Sequence, residues 1–192
     1  KTDVYRAAFQ RLERSLSKPD WVRALRQAGL QRLEALGLPT PRHEDWRFTN
    51  VAPILRLPFR PVLEPEESPA GERVAAYLFE NVPGARLVFV NGRFAPALSN
   101  LAGLPDGVTA RSLAAALETE DPLLKTHLGR FAEQADNGFS ALNQAFFADG
   151  AFVHVPAGCL VEAPLHLIYI ATSRQNGATF HPRNVVVAEA GS

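Results

Sequence analysis

The sequence predicts an α+β protein, in which a helical N-terminal region is followed by a region of short β-strands. Apolar residues recur every three to four positions between Val4 and Leu36, a spacing typical of amphipathic helices. From Ala151 onward, short β-branched and apolar runs alternate with turns that contain Gly and Pro, which indicates strands. We therefore expect three segments: a helical region with a proline-rich connector (1–62), a mixed strand and helix segment (63–150), and a strand region (151–192).

Composition limits the classes of function. The 192 residues are 46% hydrophobic, with 20 basic and 20 acidic residues that cancel, so the chain can bury a core and offers no strong field for nucleic acid or an anionic membrane. The longest apolar runs fall short of the roughly 20 residues that span a bilayer. Cys159 is the single cysteine and cannot form an intramolecular disulfide. We expect a cytoplasmic protein that binds neither membrane nor nucleic acid.

The N-terminal pattern divides into two helices. Pro19 fits the first turn of the second helix, with Ser17 as its cap, and Gly37 supplies the stop signal. The stretch from Gly37 to Pro61 holds five prolines, each of which removes a backbone donor and restricts its neighbour. We expect an extended connector there, followed by an acidic surface loop at Glu64–Gly71.

The central segment mixes strands and helices. Arg86–Val90 is a β-branched run that ends at Asn91-Gly92, and Phe94 begins a returning strand, a pattern typical of a hairpin. Helical spacing then recurs at Ser112–Leu117 and from Leu123 to Phe131.

Three short strands are predicted near the C-terminus: Ala151–Val155, Leu165–Ile170 and Asn184–Ala188. They recur at intervals of roughly 14 to 19 residues, which we interpret as the coil period of a β-solenoid. A jelly roll or cupin would show similar strands and turns, so spacing alone leaves these all-β folds open.

Two segments resemble a known family. Gly37–Asn50 contains, in order, a Pro-Thr, an Arg, an acidic residue, a Trp, a basic residue, an aromatic and a Thr. The second segment runs from Ala141-Leu142-Asn143 through Asp149-Gly150, Val155–Gly158 and Glu162–Leu167 to His181–Asn184. Together they resemble the SufB/SufD family of scaffold proteins for iron–sulfur cluster assembly, and the first segment is more similar to the SufD branch.

The resemblance implies a helical N-terminal domain, a right-handed parallel β-helix and a C-terminal helical domain that docks on the ATPase SufC. It also implies pairing with SufB and a scaffold role without enzymatic turnover. We assign no cofactor to this chain. The chain begins at Lys1 and contains no methionine, so we expect a fragment whose SufC-docking end lies beyond Ser192. We also expect it to self-associate through its last strands. The resemblance transfers no catalytic residue.

The partner-binding candidates are Arg42, Trp46 and Arg47, because arginine and tryptophan are favoured at interface hot spots. A structural interpretation competes with this one. Trp46 and Phe48 would anchor the connector on the helices, since aromatic residues bury large apolar areas, while the two acids before Trp46 pair with arginines.

A metal site would need the histidines His154, His166 and His181, with Glu162 and Cys159 as further ligand types. This gives the alternative function, a cupin-like metal-binding enzyme. The cupin motif Pro-x-Gly-x-x-His is matched at Pro156 and Gly158 but not at position 161, where Val replaces the required His. We therefore predict no metal site.

Two further chemistries have weak support. Cys159 could accept sulfur, but no basic residue lies close in sequence to lower its pKa. A carbohydrate-acting β-helix enzyme would need paired carboxylates, for which Glu162 and Glu189 are the candidates in the strand region.

Overall fold

The computed structural model describes residues 3–16, 19–63, 83–131, 137–172 and 175–192. The chain forms two compact units, each assembled from separate stretches of sequence. The first comprises residues 1–63, 128–147 and 174–181, and the second comprises 64–127, 148–173 and 182–192. The cap predicted at Ser17 and the loop predicted at Glu64–Gly71 lie outside the described residues.

The mixture of helices and strands confirms the α+β class. The described helices are α1 (Asp3–Ser15), α2 (Asp20–Leu36), α3 (Ala52–Leu55), α4 (Leu113–Glu118), α5 (Pro122–His127) and α6 (Gly138–Phe146). The described strands are β1 (Arg60–Pro61), β2 (Arg86–Val90), β3 (Arg93–Phe94), β4 (Thr109–Ser112), β5 (Ala151–Val155), β6 (His166–Ile170), β7 (Ala178–Thr179) and β8 (Val185–Ala188). None of these helices is long and apolar enough to cross a membrane.

The two predicted N-terminal helices are confirmed as α1 and α2. Helix α2 begins at Asp20, so Pro19 precedes the first turn instead of lying in it. The helix ends at Gly37, which has φ 66° and donates its N–H to the Leu33 carbonyl. Glycine adopts this positive φ without a steric penalty, which explains the stop signal.

The core of the first unit joins α1, α2 and α6. Its buried apolar residues include Leu12 of α1, Leu33 of α2 and Ala145 of α6. Gly29 permits the close approach of α2 to α6, because a Cβ at this position would lie 2.7 Å from the Ala145 nitrogen. A parallel pairing of β1 with β7 completes this unit.

The described part of the second unit contains two three-stranded sheets, with strand orders β3-β2-β6 and β4-β5-β8. The predicted hairpin is confirmed, since β2 and β3 are antiparallel and joined by Asn91 and Gly92. Both residues have positive φ, 50° and 76°, as a type I′ turn requires.

The parallel pairings correct our interpretation of strand spacing. Phe152 in β5 pairs with Val185 in β8, which lies 33 residues further along the chain. Strand β6, between them in sequence, pairs with β2 in the other sheet. The intervals of 14 to 19 residues therefore separate strands in different sheets. The chain returns to the same sheet only after about twice that number of residues.

Three details differ from the sequence prediction. The connector contains a 3₁₀ turn at Glu44–Trp46 and the short helix α3, because the 3₁₀ turn fits between two prolines and Pro53 lies in the first turn of α3, where a missing N–H removes no hydrogen bond. Helix α5 ends at His127, since Gly129 has φ 90°, and Phe131 is exposed. Strand β4 was missed because it is short and mostly polar, with sequence Thr-Ala-Arg-Ser.

Candidate partner-binding surface

The first family-like segment folds as a compact turn after α2. The backbone N–H of Thr40 donates to His43 Nδ1 at 3.0 Å, and the N–H of His43 donates to the Thr40 carbonyl at 2.9 Å. A 3₁₀ turn over Glu44–Trp46 follows, and the N–H of Thr49 donates to the Trp46 carbonyl at 3.0 Å. These local bonds give the segment a defined shape although it contains no long helix or strand.

Trp46 fixes this turn to α6. Its ring is half-buried, with its centroid 5.4 Å from that of Phe139. Gly138 contacts the backbone at Gly37 so closely that a Cβ would lie 1.9 Å from the Gly37 carbonyl oxygen. Beside Trp46 lies a recess of about 310 Å³, lined by His43, Glu44 and Asp45 among others. Trp46 therefore anchors the turn while part of its ring stays accessible.

The side chains around Trp46 point to solvent. Arg42 and Arg47 are exposed, and the Arg47 guanidinium lies 5.5 Å from the centre of the Phe48 ring. Phe48 is 94% exposed, so its predicted role as an anchor is wrong. The predicted pairing of Glu44 and Asp45 with arginines is also wrong for the described part of the chain, where neither acid forms an ion pair. Glu44 and Asp45 both lie on an exposed turn, and Trp46 is the aromatic residue of that turn whose side chain faces inward.

Two of the three histidines occupy different sheets of the second unit. His154 in β5 forms a 2.8 Å hydrogen bond through Nε2 with Glu189, whose other carboxylate oxygen accepts the N–H of Ala157 at 3.1 Å. These bonds lower the pKa of Glu189, with the bond from His154 as the largest cause. His166 belongs to β6, which pairs with β2. His154 thus links β5 to the residue after β8.

His181 lies in the first unit among aromatic rings. Its ring centroid is 5.5 Å from that of Phe146 and 5.8 Å from that of Phe59. The residue is half-buried overall, but its Nε2 is shielded from solvent and has no hydrogen-bond partner. This burial lowers the pKa of His181 from 6.5 to about 4. His181 is therefore a neutral packing residue at neutral pH.

Among the described residues, the three histidines are not grouped as ligands of a metal ion. Within the described ranges, no three His, Cys, Asp or Glu side chains are grouped closely enough to hold a metal ion. The cupin-like enzyme is therefore not supported. Cys159 is half-buried in the turn after β5, where its N–H donates to the Pro156 carbonyl at 3.1 Å. These contacts do not test the sulfur-acceptor role, which the sequence pattern does not favour.

Sequence reasoning missed a buried carboxylate in the second unit. Asp149 is 4% exposed, and its side chain accepts hydrogen bonds from Ser112 Oγ and from three backbone N–H groups. Those N–H groups belong to Phe94, Ala114 and Gly150. The signal was present, because Asp149-Gly150 is part of the second family-like segment, but an Asp-Gly pair is equally typical of an exposed turn.

Comparisons with known proteins agree with the resemblance. A family model described as the SufBD protein N-terminal region matches residues 2–167. An iron–sulfur cluster assembly SufBD family protein of Synechocystis is 30% identical over 164 residues, which cover 85% of this chain and 36% of that protein.

Shorter matches connect the chain to both branches of the family. The iron–sulfur cluster assembly protein SufD of Escherichia coli is 35% identical over 98 residues, 44% of this chain and 22% of that protein. The protein SufB of Bacillus subtilis is 30% identical over 86 residues, 45% of this chain and 18% of that protein. The matched part of the chain thus spans about a third or less of these relatives.

Proposed function

The chain belongs to the SufBD family of iron–sulfur cluster assembly proteins, and from this premise we propose that it is the N-terminal part of a scaffold subunit of the SUF machinery. The match of the family model across residues 2–167 carries the proposal. The scaffold role is consistent with the contacts of the candidate residues. Trp46 and His181 pack against aromatic rings of the same chain, and His154 is hydrogen-bonded to Glu189. We assign no catalytic residue and no cofactor to this part.

We further propose that residues 151–192 begin a right-handed parallel β-helix. The support is the parallel pairing of β5 with β8. Strand β6, which lies between them in sequence, belongs to the other sheet. Successive strands that visit different sheets and then return are what a solenoid coil requires. Residues 1–62 would form the helical region with its connector, and 63–150 the mixed segment before the solenoid.

The proposed partners are SufB and the ATPase SufC, in a cytoplasmic complex. On the present chain, Arg42, Trp46 and Arg47 are the proposed partner-binding residues. Trp46 is held against Phe139, so the two exposed arginines stand on a turn with a fixed position in the first unit. A fixed cationic and aromatic surface suits protein recognition because little conformational freedom is lost on binding.

Reconstitution tests this function. The full-length protein, mixed with purified SufB and SufC at physiological salt, should elute as one complex whose mass is measured by light scattering. The double variant Arg42→Glu with Arg47→Glu should weaken the complex, whereas Arg11→Glu with Arg14→Glu, an equal charge change on the exposed face of α1, should leave it intact. Failure of the wild-type protein to join either partner would refute the scaffold role.

A further inference from the structure

An apolar and cationic surface continues from Arg47 along the chain, in the segment between two inward-facing aromatic residues. Trp46 packs on Phe139 at one end, and Phe59 packs on Tyr5 and Phe146 at the other, with centroid distances of 4.7 and 5.1 Å. Between them, Val51 is 6% exposed. The segment is thus attached to the first unit at three points, which fixes the direction of the residues that lie between.

Those intervening residues include large apolar side chains that face solvent. Phe48 is 94% exposed, Ile54 60%, Leu57 51% and Leu55 38%. Single exposed apolar residues are common on protein surfaces, but a contiguous group is characteristic of binding sites. Four of these side chains lie within ten consecutive positions, on a segment whose inward residues are already packed, so they expose apolar area that no described residue of this unit covers.

The same segment is cationic. Arg47, Arg56 and Arg60 are exposed, and no acidic residue occurs between Trp46 and Leu63. The Arg47 guanidinium lies over the Phe48 ring, which holds one charge next to the most exposed apolar group. Arginine combined with aromatic and aliphatic side chains is the composition of interface hot spots.

We propose that residues 47–60 bind an acidic segment of a protein partner, one that carries apolar side chains among its Asp and Glu residues. This inference rests on the proposed scaffold role and adds the chemistry of one of its partners. Charge complementarity selects an acidic partner, and the aliphatic groups of Ile54, Leu55 and Leu57 require apolar side chains opposite them. Three arginines are fewer than the four to eight basic residues typical of an anionic lipid site, so a protein partner is favoured over a membrane.

A peptide titration tests the proposal on the full-length protein, without SufB or SufC. The probe is a fluorescent 16-residue peptide of Glu, Leu and Phe, and the matched probe has every Glu replaced by Gln. We expect the acidic probe to bind at least tenfold more tightly, and its binding to weaken as salt rises because the charges are exposed.

Matched variants locate the site. Arg47→Glu with Phe48→Ser, and Arg56→Glu with Ile54→Ser, should each weaken binding of the acidic probe at least tenfold. Arg130 and Phe131 supply the control, since this exposed pair has the same 5.5 Å cation–ring geometry elsewhere in the first unit. Arg130→Glu with Phe131→Ser should leave binding unchanged. Circular dichroism of each variant separates loss of binding from loss of the fold.

Three results would overturn the inference. They are equal binding of both probes, a loss of acidic-probe binding in the control variant as large as in the two site variants, and binding of vesicles rich in phosphatidylserine without binding of the acidic probe. The experiments distinguish a failure of this inference from a failure of the proposed scaffold role. A complex with SufB and SufC that forms while the probe does not bind would contradict this surface alone. Probe binding without any complex would contradict the scaffold role alone.

Discussion

The Nε of Arg26 donates a 3.0 Å hydrogen bond to the main-chain carbonyl of Phe147, and its guanidinium lies 4.7 Å from the centre of the Phe147 ring. Arg26 is 1% exposed, on α2, and also contacts Glu13 of α1 at 3.5 Å. One cation therefore joins α1 and α2 to the residue that ends α6. The apolar periodicity of α2 does not predict that a charged residue occupies its buried face.

Replacement of Arg26 by Ala should destabilise the protein by about 2–3 kcal/mol, because a buried carbonyl loses its donor and the packing on the Phe147 ring is lost. The cost is moderate because Glu13 keeps a second partner, Arg23, at 3.2 Å. Chemical denaturation measures the change. Arg23→Ala is the control, since that exposed ion pair should contribute less than about 1 kcal/mol. Equal losses in the two variants would contradict the role of burial.

Trp46→Ala should destabilise the protein by about 1–2 kcal/mol, less than for a fully buried aromatic residue, because the ring is half-buried against Phe139. Phe48→Ala should change stability by less than about 0.5 kcal/mol, since Phe48 is exposed. Thermal melts of both variants test this difference. An unchanged melting temperature for Trp46→Ala, together with loss of assembly with SufB, would make Trp46 an interface residue instead of an anchor.

Asp149→Asn should destabilise the second unit by about 1–3 kcal/mol. The carboxylate receives four donors, and an amide would turn its own N–H₂ toward at least one of them, which leaves buried donors unpaired. Ser112→Ala should cost about 1 kcal/mol, because Ser112 also caps α4 by accepting the N–H of Ala115. Urea denaturation measures both. Asp106→Asn, at an exposed position, is the control and should be neutral.

The elements predicted best from sequence are those with strong local signals. Helices α1 and α2 follow from apolar periodicity, and the β2–β3 hairpin follows from Asn91-Gly92. The sequence did not predict β1, β4 and β7, because strands of two to four residues depend on their partners more than on their own composition. At the candidate surface, the outward direction of Phe48 is set by the packing of Trp46 and Phe59 on distant residues, which local patterns do not encode.

Stability should fall as the pH drops from about 6.5 toward 4, because of His181. Burial lowers the pKa of its folded form to about 4, so in this interval the unfolded chain binds a proton that the folded protein does not. The contribution of neutral His181 is complete above pH 6.5 and lost near pH 4, and it amounts to roughly 3 kcal/mol. His181→Phe should flatten this part of the stability profile measured by urea titration at each pH. A profile unchanged by the substitution would contradict burial as the cause.

The last prediction concerns the edge of the β4-β5-β8 sheet. Among the described strands, β8 pairs only with β5, so one row of its backbone donors and acceptors is available to another chain. Val186 is 61% exposed on this strand. An exposed apolar edge strand recruits further strands, and a two-fold pairing of β8 edges would satisfy both copies. We therefore expect the 192-residue chain to self-associate in a concentration-dependent way.

Val186→Lys should shift this equilibrium toward the monomer, because a charge on an edge strand opposes pairing with a second copy. Light scattering over a dilution series gives the mass before and after the substitution. Val4→Lys is the matched control, since Val4 is 45% exposed on α1, far in sequence from β8, and its substitution should leave the mass unchanged. A strict monomer for the unsubstituted chain would contradict self-association. A mass lowered equally by both substitutions would place the contact away from β8.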